Sequence, residues 1–105
     1  MGEARAATLD EAERHEGPLV DVRKEPARLS SGREIEGSVR EAHDRVAAWG
    51  PALAGRDVIV YCVHGHEVSQ GAAEALEGLG IRARYLEGGF EAWAEAGRRT
   101  RPIGS

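Results

Sequence analysis

The sequence predicts an α/β fold in which a mostly parallel sheet is flanked by helices. Residues 19–22 and 58–61 are short runs rich in β-branched side chains, a composition typical of buried strands. Residues 69–79 instead space their apolar side chains as a helix does. Strands that alternate with helices indicate βαβ units, and the strands of such units are parallel.

The length and composition fit one globular domain. The chain has 105 residues, of which 41% are hydrophobic and 30% charged, so the composition is neither that of a disordered chain nor that of a membrane protein. We expect residues 1–105 to form a single domain, because this length is typical of one. Residues 98–105 include Pro102 and Gly104 and show no pattern that would hold them to the domain, so they are predicted to form a flexible tail.

Composition also limits the expected cellular location and the expected partners. No apolar run reaches the roughly 20 residues of a transmembrane helix, and residues 1–14 lack the apolar centre of a signal peptide. The single cysteine cannot form an internal disulfide, which favours a reducing, cytoplasmic location. A net charge of −4 without a basic stripe disfavours a nucleic-acid partner, and no feature demands more than a monomer.

The N-terminal part begins with a short predicted helix. Thr8 is a suitable N-cap, and Asp10 and Glu11 follow in the first turn, where the helix dipole favours acidic side chains. Pro18 then leads into the predicted strand at residues 19–22. The chain therefore starts with a helix followed by a buried strand.

In the middle of the chain the sequence pattern predicts helices and strands less clearly. Residues 24–38 are broken by proline, serine and glycine, which predicts a loop with at most one helical turn near residues 27–29. Residues 38–42 are predicted to form a short strand. Residues 44–53 have helical spacing, with an interruption expected at Gly50 and Pro51.

The C-terminal half is more regular. Ser69 is predicted to be the N-cap of the helix that runs to Leu79, and Gly80 follows its end. Residues 81–86 are predicted to form the last strand, and residues 90–96 an amphipathic helix.

Cys62 is the candidate reactive group. It stands where the strand at residues 58–61 ends, before a short loop with two histidines and a glycine. A strand, a short loop and a helix aim backbone N–H groups and the positive end of the helix dipole at one point. The thiolate is the reactive form of cysteine, and a helix N-terminus lowers the pKa of a thiol. Cys62 is therefore a candidate nucleophile; the alternative is a small buried hydrophobe at a strand end.

Three segments resemble a rhodanese-homology domain. They are Leu19-Val20-Asp21-Val22-Arg23, then Val58-Ile59-Val60-Tyr61-Cys62-x-x-Gly65, then Tyr85-Leu86-Glu87-Gly88-Gly89-Phe90-Glu91-Ala92-Trp93. They follow the order and spacing of that family and together cover about residues 6–97, the expected core. The resemblance implies a rhodanese-like three-layer fold with a central, mostly parallel, five-stranded sheet between layers of helices.

The resemblance also implies a thiosulfate sulfurtransferase. In that family a cysteine takes sulfane sulfur from a donor such as thiosulfate, and the persulfide passes it to cyanide, a thiol or a protein acceptor. Cys62 would be the nucleophile, with Asp21 and Arg23 supporting the loops around it unless they are an ordinary solvated pair. The predicted substrate-binding loop consists of Val63, His64, Gly65, His66, Glu67, Val68 and Ser69. No cofactor is implied, and a metal site is disfavoured because the tight loop would already hold an anion.

The sequence departs from the family pattern in ways that keep alternatives open. Residues 32–38 lack the usual His and Pro, and Glu67 and Val68 stand where many family loops carry an arginine. A carboxylate there disfavours an anionic substrate. The loop region is also one residue longer than in many single-domain sulfurtransferases, as in phosphatases and arsenate reductases, although phosphoryl transfer needs a cationic clamp. The alternatives are therefore a phosphatase or arsenate reductase, or a regulatory module without turnover.

Overall fold

The computed structural model describes residues 4–104. Strands of this part of the chain are β1 (Arg5–Ala7), β2 (Leu19–Asp21), β3 (Arg33–Ile35), β4 (Val39–Arg40), β5 (Asp57–Tyr61), β6 (Arg82–Leu86) and β7 (Thr100–Pro102). Helices are α1 (Leu9–Glu13), α2 (Glu25–Ser31), α3 (Val46–Trp49), α4 (Glu67–Gly78) and α5 (Gly89–Glu95), with a 3-10 helix at Gly50–Leu53. None of the helices within residues 4–104 has both the length and the apolarity to cross a membrane.

The central sheet has five parallel strands in the order β1-β6-β5-β2-β4. Because β5 lies between β2 and β6, it is shielded by a neighbour on each edge. Tyr61 at the end of β5 is in register with Asp21 at the end of β2. The residues that follow these two strands therefore emerge side by side at the carboxyl edge of the sheet, where parallel α/β proteins bind ligands.

Alternating side chains of β5 build two separate cores. Val58 and Val60 pack on one face with apolar residues of α3 and α4, whereas Ile59 and Tyr61 pack on the other with residues of α1 and α5. All four side chains have no exposed surface. A strand that is apolar on both faces is typical of a parallel sheet covered on both sides. This arrangement confirms the predicted three-layer α/β fold with a parallel five-stranded sheet.

The start of α1 confirms the predicted cap. The Thr8 hydroxyl accepts a hydrogen bond from the Glu11 backbone N–H at 3.1 Å, and the Glu11 carboxylate accepts one from the Thr8 N–H at 2.9 Å. This reciprocal pair is a capping box, which satisfies donors that the first helical turn leaves free.

The prediction of a loop with a single turn over residues 24–38 is wrong. Two elements form there, the seven-residue helix α2 and the strand β3. Pro26 lies in the first turn of α2, where its missing N–H is not needed and its fixed φ is favourable. The helix ends at Gly32, whose φ of 71° is in the left-handed region. The proline and glycine therefore bound a helix here and do not exclude one.

The prediction of a flexible C-terminal tail is also wrong. Strand β7 pairs antiparallel with β3 in a separate two-stranded sheet, with Glu34 opposite Arg101. Arg101 Nε donates to the Glu34 carboxylate at 2.8 Å. Arg98 binds the α1 carboxylates of Asp10, at 2.7 Å, and Glu13, and the hydrogen bond from Arg98 lowers the pKa of Asp10. These partners of Arg98 and Arg101 are 60 or more residues away in sequence, so they could not be predicted from local composition.

Candidate functional site

Cys62 directly follows β5 at the carboxyl edge of the sheet. Its side chain is 6% exposed and lies among the core residues at the bottom of a cleft. The Sγ atom is 3.1 Å from the Ser69 hydroxyl oxygen, a hydrogen-bond distance for sulfur. Ser69 itself has no exposed surface. As a thiol, Cys62 donates a hydrogen bond to the Ser69 hydroxyl oxygen; as a thiolate, it would instead accept a hydrogen bond from that hydroxyl.

The predicted N-cap at Ser69 is wrong. Helix α4 starts at Glu67 with His66 as its N-cap, and Ser69 is the third helical residue. No side-chain hydrogen bond caps this helix at His66. Because the helix starts three residues earlier than predicted, Ser69 lies in its first turn, where its hydroxyl is beside the Cys62 sulfur and does not cap the helix.

The carbonyl groups of the loop are held by neighbouring elements. The Cys62 and Val63 carbonyls accept hydrogen bonds from the backbone N–H groups of Phe90 and Glu91, at 2.8 and 3.0 Å. The Gly65 carbonyl accepts one from the Gln70 side-chain amide at 3.0 Å. Across residues 4–104, no hydrogen bond engages the N–H groups of residues 63–69. These N–H groups, together with the N-terminal end of α4, are free to bind an anion.

Two glycines allow the loop and the start of α5 to touch. Gly65 has a φ of 76°, and a Cβ placed on it would lie 2.7 Å from the Leu86 carbonyl oxygen. Gly89 has a φ of 64°, and a Cβ there would lie 2.5 Å from the Val63 carbonyl oxygen. No other residue type fits so close to a backbone. The Gly88-Gly89 turn therefore sets the position of the loop that follows Cys62.

The two predicted histidines lie at the rim of the site. His64 Nε2 is 2.7 Å from the Glu91 carboxylate, and both side chains are about half exposed. The His66 ring lies 6.2 Å from that of His64 and is exposed. Glu67, also exposed, lines the cleft beside them. The rim of the cleft thus carries two imidazole side chains next to carboxylates.

The cleft over Cys62 has a volume of about 490 Å³. Its walls are formed by Arg23, Lys24, Ala27, Cys62, Val63, His64, His66, Glu67 and Val68. Lys24 and Ala27 were not recognised from the sequence as site residues. The available signal was topological: Lys24 comes soon after the end of β2, and β2 is the parallel neighbour of β5. The carboxyl ends of adjacent parallel strands meet at one edge, so residues after β2 face the residues after β5.

Asp21 and Arg23 are a buried ion pair, which excludes the alternative of a solvated pair. Their side chains are 0% and 1% exposed, and two guanidinium nitrogens of Arg23 donate to the Asp21 carboxylate at 2.7 and 3.0 Å. Arg23 also donates to the Ser31 hydroxyl and to the Arg33 carbonyl, and its guanidinium lies 4.3 Å from the centre of the Phe90 ring. This side chain therefore joins β2, α2, β3 and α5 beneath the cleft.

The Tyr61 hydroxyl makes further buried hydrogen bonds. It accepts a hydrogen bond from the Ile35 N–H at 3.1 Å and lies 2.9 Å from the Ser38 hydroxyl. Burial, and secondarily the nearby Asp21 carboxylate, raise the pKa of Tyr61 well above its usual value. Tyr61 therefore stays neutral and serves as a structural anchor for β3.

This fold and this site define a class: parallel α/β domains in which a cysteine directly follows the central strand and heads a loop with free backbone N–H groups. A comparison of the sequence with protein families supports that placement. The family model described as Rhodanese-like domain matches residues 5–96. The chain belongs to the rhodanese-like domain family, as its sequence motifs indicated.

Solved structures share the fold. A rhodanese-related protein from Thermoplasma volcanium superimposes with a TM-score of 0.78 at 24% identity, over 92% of this chain and 97% of that one. A protein from Rhodopseudomonas palustris described as of unknown function and a possible tyrosine phosphatase gives 0.80 at 22% identity, over 93% and 85%. Reduced CoADR-RHD from Bacillus anthracis gives 0.74 at 26% identity, over 87% of this chain but 16% of that one. These likenesses establish the fold and leave the reaction open.

Proposed function

We propose that this protein is a sulfurtransferase that carries sulfane sulfur as a persulfide on Cys62. The observation that carries the proposal is the position of the Cys62 sulfur at the head of a loop whose N–H groups are free, with the Ser69 hydroxyl 3.1 Å away. A small anionic donor such as thiosulfate matches free N–H groups and the cation of Lys24. The acceptor would be cyanide or a thiol, and the protein would act as a cytoplasmic monomer.

The proposed reaction has two displacement steps. The Cys62 thiolate attacks the outer sulfur of thiosulfate, the sulfur–sulfur bond of thiosulfate breaks, and sulfite leaves with the electron pair. An acceptor thiolate then attacks the outer sulfur of the Cys62 persulfide, and Cys62 leaves as a thiolate. Ser69 and the loop N–H groups stabilise negative sulfur in both steps. No external oxidant or reductant is required.

Sulfur uptake is the direct test. Intact mass spectrometry after incubation with thiosulfate is expected to show a gain of one sulfur atom in the wild type, reversed by cyanide or a thiol. Cys62→Ser is expected to gain nothing, because it lacks the only thiol in the chain. The absence of any gain at high donor concentration, with Cys62 still open to alkylation, would overturn the proposal.

Ser69→Ala is expected to slow sulfur uptake by about tenfold to a hundredfold. A hydrogen bond to a charged group contributes about 1.5–3 kcal/mol, which corresponds to that range in rate. The rate of sulfite release in a single turnover measures the effect. Ser30→Ala, at an exposed serine of α2, is the matched control and should react as the wild type does. Equal rates for both variants would show that Ser69 does not assist the thiolate.

A phosphatase or arsenate reductase is the second candidate, since a structural neighbour is described as a possible tyrosine phosphatase. Transfer of a phosphoryl or arsenate group is favoured by a cationic clamp for the oxyanion. Among the described residues that line the cleft, the one arginine is Arg23, and its guanidinium is already bound to Asp21. This observation favours sulfur transfer. A regulatory module without turnover is a third candidate, and sulfur uptake by Cys62 would exclude it.

A further inference from the structure

A second cleft of about 270 Å³ adjoins the one over Cys62. It is lined by Lys24, His43, Glu67, Val68, Gly71 and Ala72, and the first cleft shares Lys24, Glu67 and Val68 with it. Because the two clefts share these three lining residues and both adjoin the first turns of α4, we refer to them together as the groove. Clefts that hold organic ligands of moderate size have volumes of roughly 300–1,000 Å³. A small anionic donor occupies only the end beside Cys62 and leaves the second cleft unfilled.

Gly71 forms part of the floor of this second cleft. It lies inside α4, where a glycine costs roughly 1 kcal/mol relative to alanine. A Cβ placed on Gly71 would meet no atom within 4 Å, so neither backbone conformation nor packing requires a glycine here. A ligand bound along this face of α4 would require a glycine at position 71, because any larger residue there would take up space in the groove.

The residues that line both clefts include one basic and one acidic side chain. Lys24 offers an ammonium and Glu67 a carboxylate, while His43 lies in the second cleft alone. Among the ion pairs of the described part of the chain, none involves these three side chains. A ligand with both a carboxylate and an ammonium would be complementary to Lys24 and Glu67. The same ligand would explain a carboxylate at position 67, which disfavours a purely anionic substrate.

We propose that the second cleft is the acceptor subsite, and that the acceptor is a small thiol carrying an ammonium and a carboxylate group, as a thiol peptide does. This inference rests on the sulfur-transfer function proposed above. The thiol would enter the first cleft, with its charged end beside Glu67, Lys24 and Gly71. Its sulfur attacks the outer sulfur of the Cys62 persulfide, the bond to Cys62 Sγ breaks, and the products are the acceptor persulfide and the free Cys62 thiol. The acceptor thiol proton is retained among these products, so the step is balanced.

Binding of S-methylglutathione, which cannot accept sulfur, tests the subsite without any sulfur transfer. Gly71→Leu is expected to raise the Kd for S-methylglutathione by about tenfold or more, because the leucine side chain occupies the groove. Gly78→Leu is the matched control: Gly78 lies two turns further along the same face of α4, its Cβ position is also open, and it does not line the groove. Leucine is a strong helix former, so both variants should fold, which thermal melting verifies. Equal Kd values for wild type and Gly71→Leu, or no binding to the wild type at millimolar ligand, would overturn the inference.

A chemical variant of the probe tests the charge assignment. N-acetylation of S-methylglutathione removes its ammonium and should weaken binding to the wild type by about threefold, a loss typical of one exposed ion pair. In Glu67→Gln the same acetylation should change the Kd little. An equal loss in both proteins would show that Glu67 does not bind the ammonium and would overturn this part of the proposal.

Discharge of the preloaded Cys62 persulfide separates this inference from the function on which it rests. Gly71→Leu should lower the ratio of the glutathione rate to the cyanide rate by about tenfold relative to Gly78→Leu. An unchanged ratio would overturn the acceptor subsite while sulfur transfer stands. Failure of the wild type to take up sulfur, with S-methylglutathione still bound in a Gly71-dependent manner, would overturn sulfur transfer and keep the groove as a thiol-peptide site.

Discussion

Asp21→Asn is expected to lower the free energy of unfolding by about 3–5 kcal/mol, the loss typical of a buried ion pair deprived of one charge. Asparagine preserves the shape of the side chain but removes the charge that compensates Arg23, whose guanidinium has 1% exposure. Arg28, whose Nε donates to the same carboxylate at 3.2 Å, loses this charged partner and keeps its ion pair with Glu34. Because a small domain has only about 5–15 kcal/mol of stability, part of the population should be unfolded at 37 °C.

Urea denaturation followed by circular dichroism measures this loss. Glu25→Gln is the matched control, since it removes an acidic partner from an ion pair at the surface, 3.1 Å from Arg40 with Glu25 54% exposed. Exposed pairs contribute less than about 1 kcal/mol, so this variant should unfold close to the wild type. Equal midpoints for Asp21→Asn and Glu25→Gln would contradict the structural role assigned to the buried pair.

Gly89→Ala is expected to cost more than about 3 kcal/mol and to abolish most sulfur uptake. The left-handed φ of 64° costs a non-glycine residue about 1–2 kcal/mol. The added methyl group would also lie 2.5 Å from the Val63 carbonyl oxygen and 2.6 Å from that of Cys62, so the loop must move. Movement would break the hydrogen bonds that hold these two carbonyls and would displace the loop that follows Cys62.

Gly97→Ala isolates the effect of this contact. Gly97 has a comparable φ of 74°, but a Cβ there would meet no atom within 4 Å. It should therefore lose about 1 kcal/mol, for conformation alone, and keep its rate of sulfur uptake. Thermal melting and the single-turnover release of sulfite measure both quantities. Similar losses of stability and of sulfur-uptake rate in Gly89→Ala and Gly97→Ala would mean that the loop tolerates displacement by α5.

The sequence alone was sufficient for the fold class and the position of the cysteine. Strand β5 is apolar on both faces, as is typical of a strand in a covered parallel sheet, so its burial could be predicted from local composition. The glycines of the Leu86–Phe90 block are likewise visible in the sequence, although the contact that requires Gly89 is not. These features could be predicted because they depend on the residues of one segment.

Other features were decided by contacts between distant segments. Strand β7 forms because residues 100–102 pair with β3, more than 60 residues earlier in the chain. Ser69 contacts the Cys62 sulfur because α4 begins at Glu67, which places the serine in the first turn of the helix. Lys24 lines the cleft because β2 and β5 are parallel neighbours. Local propensity is a weak prior that tertiary packing overrides. The sequence thus determined which residue is the candidate nucleophile, and the tertiary structure decided which residues surround it.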